Sequence, residues 1–300
     1  PSTPYSIPWA NSLFEDNAEF ALGIHISYKQ KRERIKHIME ETINSVEIDV
    51  KDLFTKWLEN ENDFEITNKI KSELKGKTLP KELNDLIDYV PARTVWAIGG
   101  DGWAYDIGYG GLDHVLHSNE NIKVLVLDTE VYSNTGGQAS KSTKLGAVAE
   151  FANFGKRTAK KDLFRIASCI PNCYVASISL GANMMQAIKA FNEAEAHNGP
   201  AIIIAYSPCI EHGIKTGMTH SSEEQKLAVE CGYTILMRHD GETHIDSKEP
   251  NFDKYETFLD NEVRFNALKI KDKDLANKVL EEQKENAIKR YEYYKKITTK

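Results

Sequence analysis

From residue 94 onward the chain alternates between short apolar runs and longer stretches with helical spacing. The runs are "TVWAI", "IKVLVLD", "CYVASISL", "PAIIIAYS" and "YTILMRH". "VLVL" and "AIIIA" are apolar at successive positions, as expected of strands covered on both faces. Helical patterns fill 103–118, roughly 144–169, 182–197 and 222–231. Strand and helix in alternation predict an α/β fold with a doubly wound, mostly parallel sheet and extra helices. Ligands of such sheets sit beyond the carboxyl ends of the strands.

The flanks read differently. Residues 1–24 are rich in Pro, Ser and Asn and predict irregular backbone leading into a helix. Residues 28–90 are charged and helical in pattern, broken at Gly76 and Pro80, and predict a solvated helical layer. The stretch 272–297 has acidic residues early and lysines late, as the helix dipole prefers. It predicts a long amphipathic helix that docks or makes a subunit contact. The expected division is one domain over 1–260, including the 28–90 layer, and a helical tail over 261–300.

A net charge of -7 and a pI near 5.8 argue against nucleic acid or an anionic membrane as partner. No apolar stretch approaches the ~20 residues of a membrane span, and no signal-peptide pattern is present. Four cysteines without a dense framework suggest reduced thiols or metal ligands in a cytoplasmic protein. The start at Pro1 rather than Met suggests a piece of a longer chain.

The informative stretch is "GGDGWAYDIG", directly behind the first apolar run. Glycines between a strand and a helix suggest a phosphate site, yet Asp101 stands between Gly100 and Gly102. The G-x-G-x-x-G pattern fails at Tyr105, and no G-x-x-x-x-G-K-[ST] occurs. A bare carboxylate about 4 Å from a phosphate charge would be repelled by roughly 4 kcal/mol at an effective dielectric of about 20. A divalent cation between them turns repulsion into attraction, and Mg²⁺ takes such mixtures of protein oxygens, phosphate and water. The alternative is that Asp101 caps the following helix.

The next strand ends in a polar loop, "KVLVLDTEVYSNTGGQ". Strand, GDG turn, helix, strand and oxygen-bearing loop is the pattern of thiamine-diphosphate enzymes. Most of these end the second strand with "NN", where Asp128 and Thr129 stand here. The longer blocks "GGDGWAYDIGYGGLDHVL", "KVLVLDTEVYSNTGGQASKST", "GKRTAKKDL", "AYSPCIEHGIKTGM" and "PWANSLFEDNAEFALG" closely resemble the C-terminal thiamine-binding domain of pyruvate:ferredoxin (flavodoxin) oxidoreductase. The resemblance covers most of 1–240 and is weak over 45–85 and in the last 50 or so residues.

That resemblance implies a thiamine-diphosphate-binding fold and assigns residues. Gly100, Asp101, Gly102 and Trp103 would hold the diphosphate, and Thr129, Glu130, Val131, Tyr132, Ser133 and Asn134 would complete the site. Mg²⁺ would take the Asp101 carboxylate, the Thr129 hydroxyl and the Val131 carbonyl. Asn134, otherwise a turn former beside Thr135-Gly136-Gly137, would lie near the reacting thiazolium as the catalytic residue. Cys209, otherwise a small buried hydrophobe, would be the fourth ligand of a [4Fe–4S] cluster. The other three ligands lie outside this sequence. Cys169, Cys173 and Cys231 read as core, and His212 and His220 as exposed loop histidines. Close packing on the sheet or cofactor would explain Gly108, Gly110 and Gly111.

The implied activity is oxidative decarboxylation of pyruvate, or another 2-oxo acid, to acetyl-CoA and CO₂. Electrons would pass through [4Fe–4S] clusters to ferredoxin or flavodoxin. Coenzyme A would be the acyl acceptor. The enzyme would be a homodimer, cytoplasmic or housed in an anaerobic organelle, with the general base and substrate-binding residues in other domains. The alternatives are a non-redox thiamine decarboxylase or synthase, and a cofactor-binding module inactive without the rest of its chain.

Overall fold

In a computed structural model, residues 10–11 and 15–298 are described. The expected irregular lead-in falls largely outside them, at 1–9 and 12–14. Two compact units emerge, one comprising 20–95 and the other the described residues up to 19 together with 96–298.

The smaller unit is helical. It takes most of α1 (Asn17–Thr42), then α2 (Ile48–Glu59), α3 (Phe64–Leu74) and α4 (Lys81–Asp85). Val50, Phe54 and Trp57 recur at i, i+4 and i+7 on α2, so one face is apolar and buried. They join Ile35, Met39, Ile70 and Leu74 in a core of the unit's own. Asp63 caps α3 by accepting from the Ile66 N–H at 2.8 Å. The Trp57 indole donates to the Val90 carbonyl at 2.8 Å, satisfying a buried donor.

The larger unit carries a six-stranded sheet in the order β1-β2-β4-β3-β5-β6. Its strands are β1 (Val95–Gly100), β2 (Ile122–Asp128), β3 (Tyr174–Ile178), β4 (Ala201–Tyr206), β5 (Met237–Asp240) and β6 (Glu242–Ile245). β4 pairs parallel with β2 and with β3, whereas β5 and β6 run antiparallel. The expected α/β, mostly parallel sheet is therefore present. The last predicted strand is shorter than expected and runs antiparallel to β3, and Asp240-Gly241 then turns the chain into an unforeseen hairpin with β6, with Gly241 at φ 78°.

Around the sheet lie α5 (Tyr109–His117), α6 (Leu163–Ala167), α7 (Met184–Ala196), α8 (Ser221–Glu230), α9 (Tyr255–Asp260), α10 (Val263–Lys271) and α11 (Lys273–Thr298). The helix expected over 144–169 shrinks to α6. Gly146, Phe151 and Gly155 all take positive φ, which no helix accommodates. Cys169, expected in the core, is consequently exposed just past that short helix. Cys173 and Cys231 are buried as expected, with both thiols pushed up to about 12 by burial. The tail helix α11 docks on its own chain: Tyr294 donates to Asp162 at 2.7 Å, Arg290 to the Tyr233 carbonyl at 2.7 Å, and Gln283 to the Leu145 carbonyl.

Beneath the carboxyl end of β2 runs a chain of buried charges. Asp128, the last residue of β2, accepts from Lys160 at 2.5 Å, from the Tyr105 hydroxyl at 3.0 Å, and from Ser142. Lys160 also donates to Glu130 at 2.9 Å. The other Glu130 oxygen receives Arg264 at 2.9 Å and the Tyr233 hydroxyl. Arg264 turns back to Glu262 at 2.7 Å. Burial pushes the Glu130 carboxyl upward, but Lys160 and Arg264 outweigh it and hold Glu130 well below its ordinary value.

Lys160→Met should leave Asp128 and Glu130 short of a counter-charge and destabilise the larger unit by about 3–5 kcal/mol, read by urea denaturation. Because the Glu130 carboxyl is depressed when folded, its contribution is complete above about pH 4.5 and drains as pH falls below that. Acid-dependent loss of stability below pH 4.5 should therefore be shallower in the variant. An unchanged denaturation midpoint and acid limb would mean the network contributes nothing net.

Candidate cofactor site at the strand tips

Three adjacent strand ends build the site, since β1 neighbours β2 and β2 neighbours β4. β1 delivers Gly100 and Asp101, β2 delivers the loop from Thr129, and β4 delivers Cys209.

Asp101 is buried, 1% exposed. It caps nothing: the helical turn after it, a π-helical run over Gly102–Ile107, receives no bond from its side chain. The capping alternative is thereby set aside. Instead its carboxylate accepts from Thr129 Oγ1 at 2.8 Å and Ser140 Oγ at 2.5 Å. The Thr129 hydroxyl also lies 3.0 Å from the Val131 carbonyl. The three oxygens assigned to Mg²⁺ thus meet around a single hydroxyl proton. Among the described residues Asp101 makes no ion pair. Burial, then repulsion from Asp128, pushes its carboxyl up to about 7, and the two hydroxyl bonds only partly offset this. A buried carboxylate beside two further hard oxygens, without a counter-ion, suits a divalent cation.

The glycines at the tip serve close approach. A Cβ on Gly102 would collide with the Tyr132 ring, whose hydroxyl donates to the Gly102 carbonyl at 3.2 Å. A Cβ on Gly100 would meet no atom within 4 Å, so the space beside that backbone is open. Trp103 is buried, with its ring packed against Gly99 and Gly108. Gly108 is close-packed against Trp103 and the Glu15 carbonyl, and Gly111 against Glu19 in the first turn of α1, rather than against the sheet. Gly110 faces open space.

In the second loop Glu130 turns inward, taking φ 58°, a left-handed conformation costly for any residue but Gly. Its buried carboxylate, fixed by Lys160 and Arg264, holds it there. Ser133 donates to Thr129 Oγ1 at 3.0 Å and accepts from Cys209 Sγ at 3.1 Å. Cys209 is half-buried and belongs to this cluster. Asn134 is exposed on the turn that Gly137 closes by donating to the Tyr132 carbonyl at 2.9 Å, and it makes none of the cluster's bonds.

His212, expected to be an exposed loop residue, is instead fully buried. Its Nε2 donates to the Thr129 carbonyl at 2.7 Å, and its Nδ1 faces Glu262 at 3.4 Å. The chain of buried charges therefore ends on the backbone of a predicted metal ligand. His220 is exposed, as expected. Sequence reasoning gave no role to Ser140, Lys160, His212, Glu262 or Arg264. Ser140, Lys160 and His212 lie inside blocks that carried the resemblance, but Glu262 and Arg264 lie beyond it. Among the described residues no group of three His, Cys, Asp or Glu side chains could hold a metal. The predicted Mg²⁺ set has only one such side chain.

Residues 84–205 match the thiamine pyrophosphate enzyme, C-terminal TPP binding domain. The chain is 42% identical to a pyruvate-flavodoxin oxidoreductase of Klebsiella pneumoniae, over 99% of its own length and 27% of the relative's. It is 42% identical to the pyruvate:ferredoxin oxidoreductase of Moorella thermoacetica, over 99% and 28%. It is 40% identical to the mitochondrial NADP(+) pyruvate dehydrogenase of Euglena gracilis, over 96% and 17%. The chain thus spans less than a third of the length of these relatives. Among solved structures, a 2-oxoglutarate:ferredoxin oxidoreductase chain from Magnetococcus marinus shares 23% identity over 39% of this chain and 40% of its own, at a TM-score of 0.36, a likeness too slight to bear on the fold. With the strand-tip loops, the domain match and the similarity over nearly its whole length, the chain carries a thiamine pyrophosphate-binding domain and is similar to a part of the pyruvate:ferredoxin (flavodoxin) oxidoreductases.

Proposed function

We propose that this chain binds thiamine diphosphate and Mg²⁺ for the oxidative decarboxylation of pyruvate to acetyl-CoA and CO₂, with electrons leaving through [4Fe–4S] clusters to ferredoxin or flavodoxin. The observation that carries the reading is the meeting of Asp101, Thr129 and Val131 oxygens beside an open glycine backbone. When bound, thiamine diphosphate supplies the nucleophilic carbon and the electron sink.

The chain's own part is positioning. Asp101, the Thr129 hydroxyl and the Val131 carbonyl would hold the metal, and the metal would screen Asp101 from the diphosphate. His212 fixes Thr129 from behind, and Glu130 fixes the turn between Thr129 and Val131. Asn134 would face the reacting group from the exposed turn. Cys209 is the one thiol in the cluster and would give one ligand to an iron–sulfur centre, which needs four. The remaining ligands, coenzyme A and the substrate-binding groups would come from elsewhere in a dimeric enzyme. Among the described residues no helix is long and apolar enough to cross a membrane.

Titration calorimetry of the intact protein with thiamine diphosphate should show binding in Mg²⁺ and little or none in EDTA. Asp101→Ala should remove the metal-dependent binding while the protein stays folded. Equal affinity with and without metal would sink the bridge between carboxylate and diphosphate.

In the intact enzyme, Cys209→Ser should leave thiamine diphosphate affinity and CO₂ release from pyruvate in place, but lower ferredoxin or flavodoxin reduction by at least tenfold. The paramagnetic signal of one cluster should disappear. Full acceptor reduction with all cluster signals intact would make Cys209 a packing residue.

A further inference from the structure

A second cavity, of about 380 Å³, lies in the larger unit between α11 and the loops preceding α6 and β5. Its wall includes Lys144, Lys160, Tyr233, Gln283 and Arg290, and exposed Arg165 and Lys289 lie at its margin.

Its charges do not balance. Of the carboxylates on the wall, Asp128 and Glu130 are bound to Lys160, and Asp162 accepts from Tyr294 and caps α6. Lys161 rests over the Tyr109 ring and Arg165 over the Tyr293 ring, while Lys289 pairs with Glu285. Lys144 and Arg290 make no ion pair among the described residues. Both point at one neutral atom, the Tyr233 carbonyl oxygen, at 3.0 Å and 2.7 Å. The Lys144 ammonium also lies 4.3 Å from the Tyr233 ring centre. The Arg290 Nε is buried without any hydrogen-bond partner. Burial first, then the Arg290 charge, presses the Lys144 ammonium well below its ordinary range, so the two cations oppose each other.

Two adjacent, half-buried basic side chains, donors to spare and room beside them make a seat for a doubly charged oxyanion. A phosphoryl group fits that charge, and the Arg fork suits its geometry. We propose that this cavity binds a small phosphorylated molecule, its phosphoryl group held between Lys144 and Arg290. The inference does not depend on the cofactor reading of the strand tips.

The test is calorimetric titration of the intact protein with inorganic phosphate and, separately, with acetate, at one ionic strength. Saturable phosphate binding, tighter than acetate binding, is expected. Lys144→Met and Arg290→Gln should each weaken it by roughly tenfold or more, the loss expected for one charged hydrogen bond. Asp101→Ala, which alters the strand-tip loops instead, should keep it. If Lys144→Met does not fold, Arg290→Gln carries the test alone. Phosphate affinity unchanged in the folded variants, or no better than acetate, would overturn the proposal.

Discussion

The constraint on which the larger unit depends is a pair of buried carboxylates, Asp128 and Glu130, placed at and just beyond the end of β2. A carboxylate there has lost its water and cannot stay charged without a partner. The chain answers with Lys160 between the two and Arg264 beyond, brought from a loop and from α10. These partners lie far from β2 in sequence, so the strand tip takes its form only when the C-terminal part has folded against it. Pairing also restricts the backbone: Glu130 stays at positive φ because its carboxylate is held from two sides.

This arrangement leaves the next carboxylate in a different state. Asp101 lies near Asp128 but receives only hydroxyl bonds, and the cations of the network are spent elsewhere. The result is a division of labour between acids on two neighbouring strand tips. Asp128 and Glu130 are neutralised by protein and shape the loop, while Asp101 receives no counter-charge from the described residues, which is what the proposed cation would supply. His212 links the two regions, since it lies between Glu262 of the network and the carbonyl of Thr129. Rigid support of this kind holds the Thr129 and Val131 oxygens in place, and would lower the ordering cost of binding the proposed metal.

The legible part of this protein was what repeats or lies close in the chain. Uninterrupted apolar runs revealed β2 and β4 because a strand covered on both faces has no polar positions to hide them. The Gly-Asp-Gly turn stood out because a carboxylate between glycines at a strand tip is unusual and suggests a proposed cation site. What stayed hidden depends on partners distant in sequence. Nothing local to Lys160 says that it is buried between two acids, and nothing local to His212 says that it is enclosed, since both sit in polar loops that read as solvated. The 144–169 stretch has helical composition, and only the positive-φ positions at Gly146, Phe151 and Gly155 rule a helix out.

The tail helix illustrates the same limit from the other direction. Its amphipathic pattern foretold docking, but not that its polar residues would do as much as its apolar ones. Gln283 satisfies the Leu145 carbonyl and Tyr294 holds Asp162, so α11 fastens the two ends of the irregular 144–162 stretch that replaces the expected helix. That stretch contains Lys160, the cation on which Asp128 and Glu130 depend. Backbone left without helix or strand has to find other hydrogen-bond partners, and here a helix more than a hundred residues downstream in the chain provides them. The geometry of the strand tips is therefore set partly by a segment that touches none of the proposed cofactor ligands.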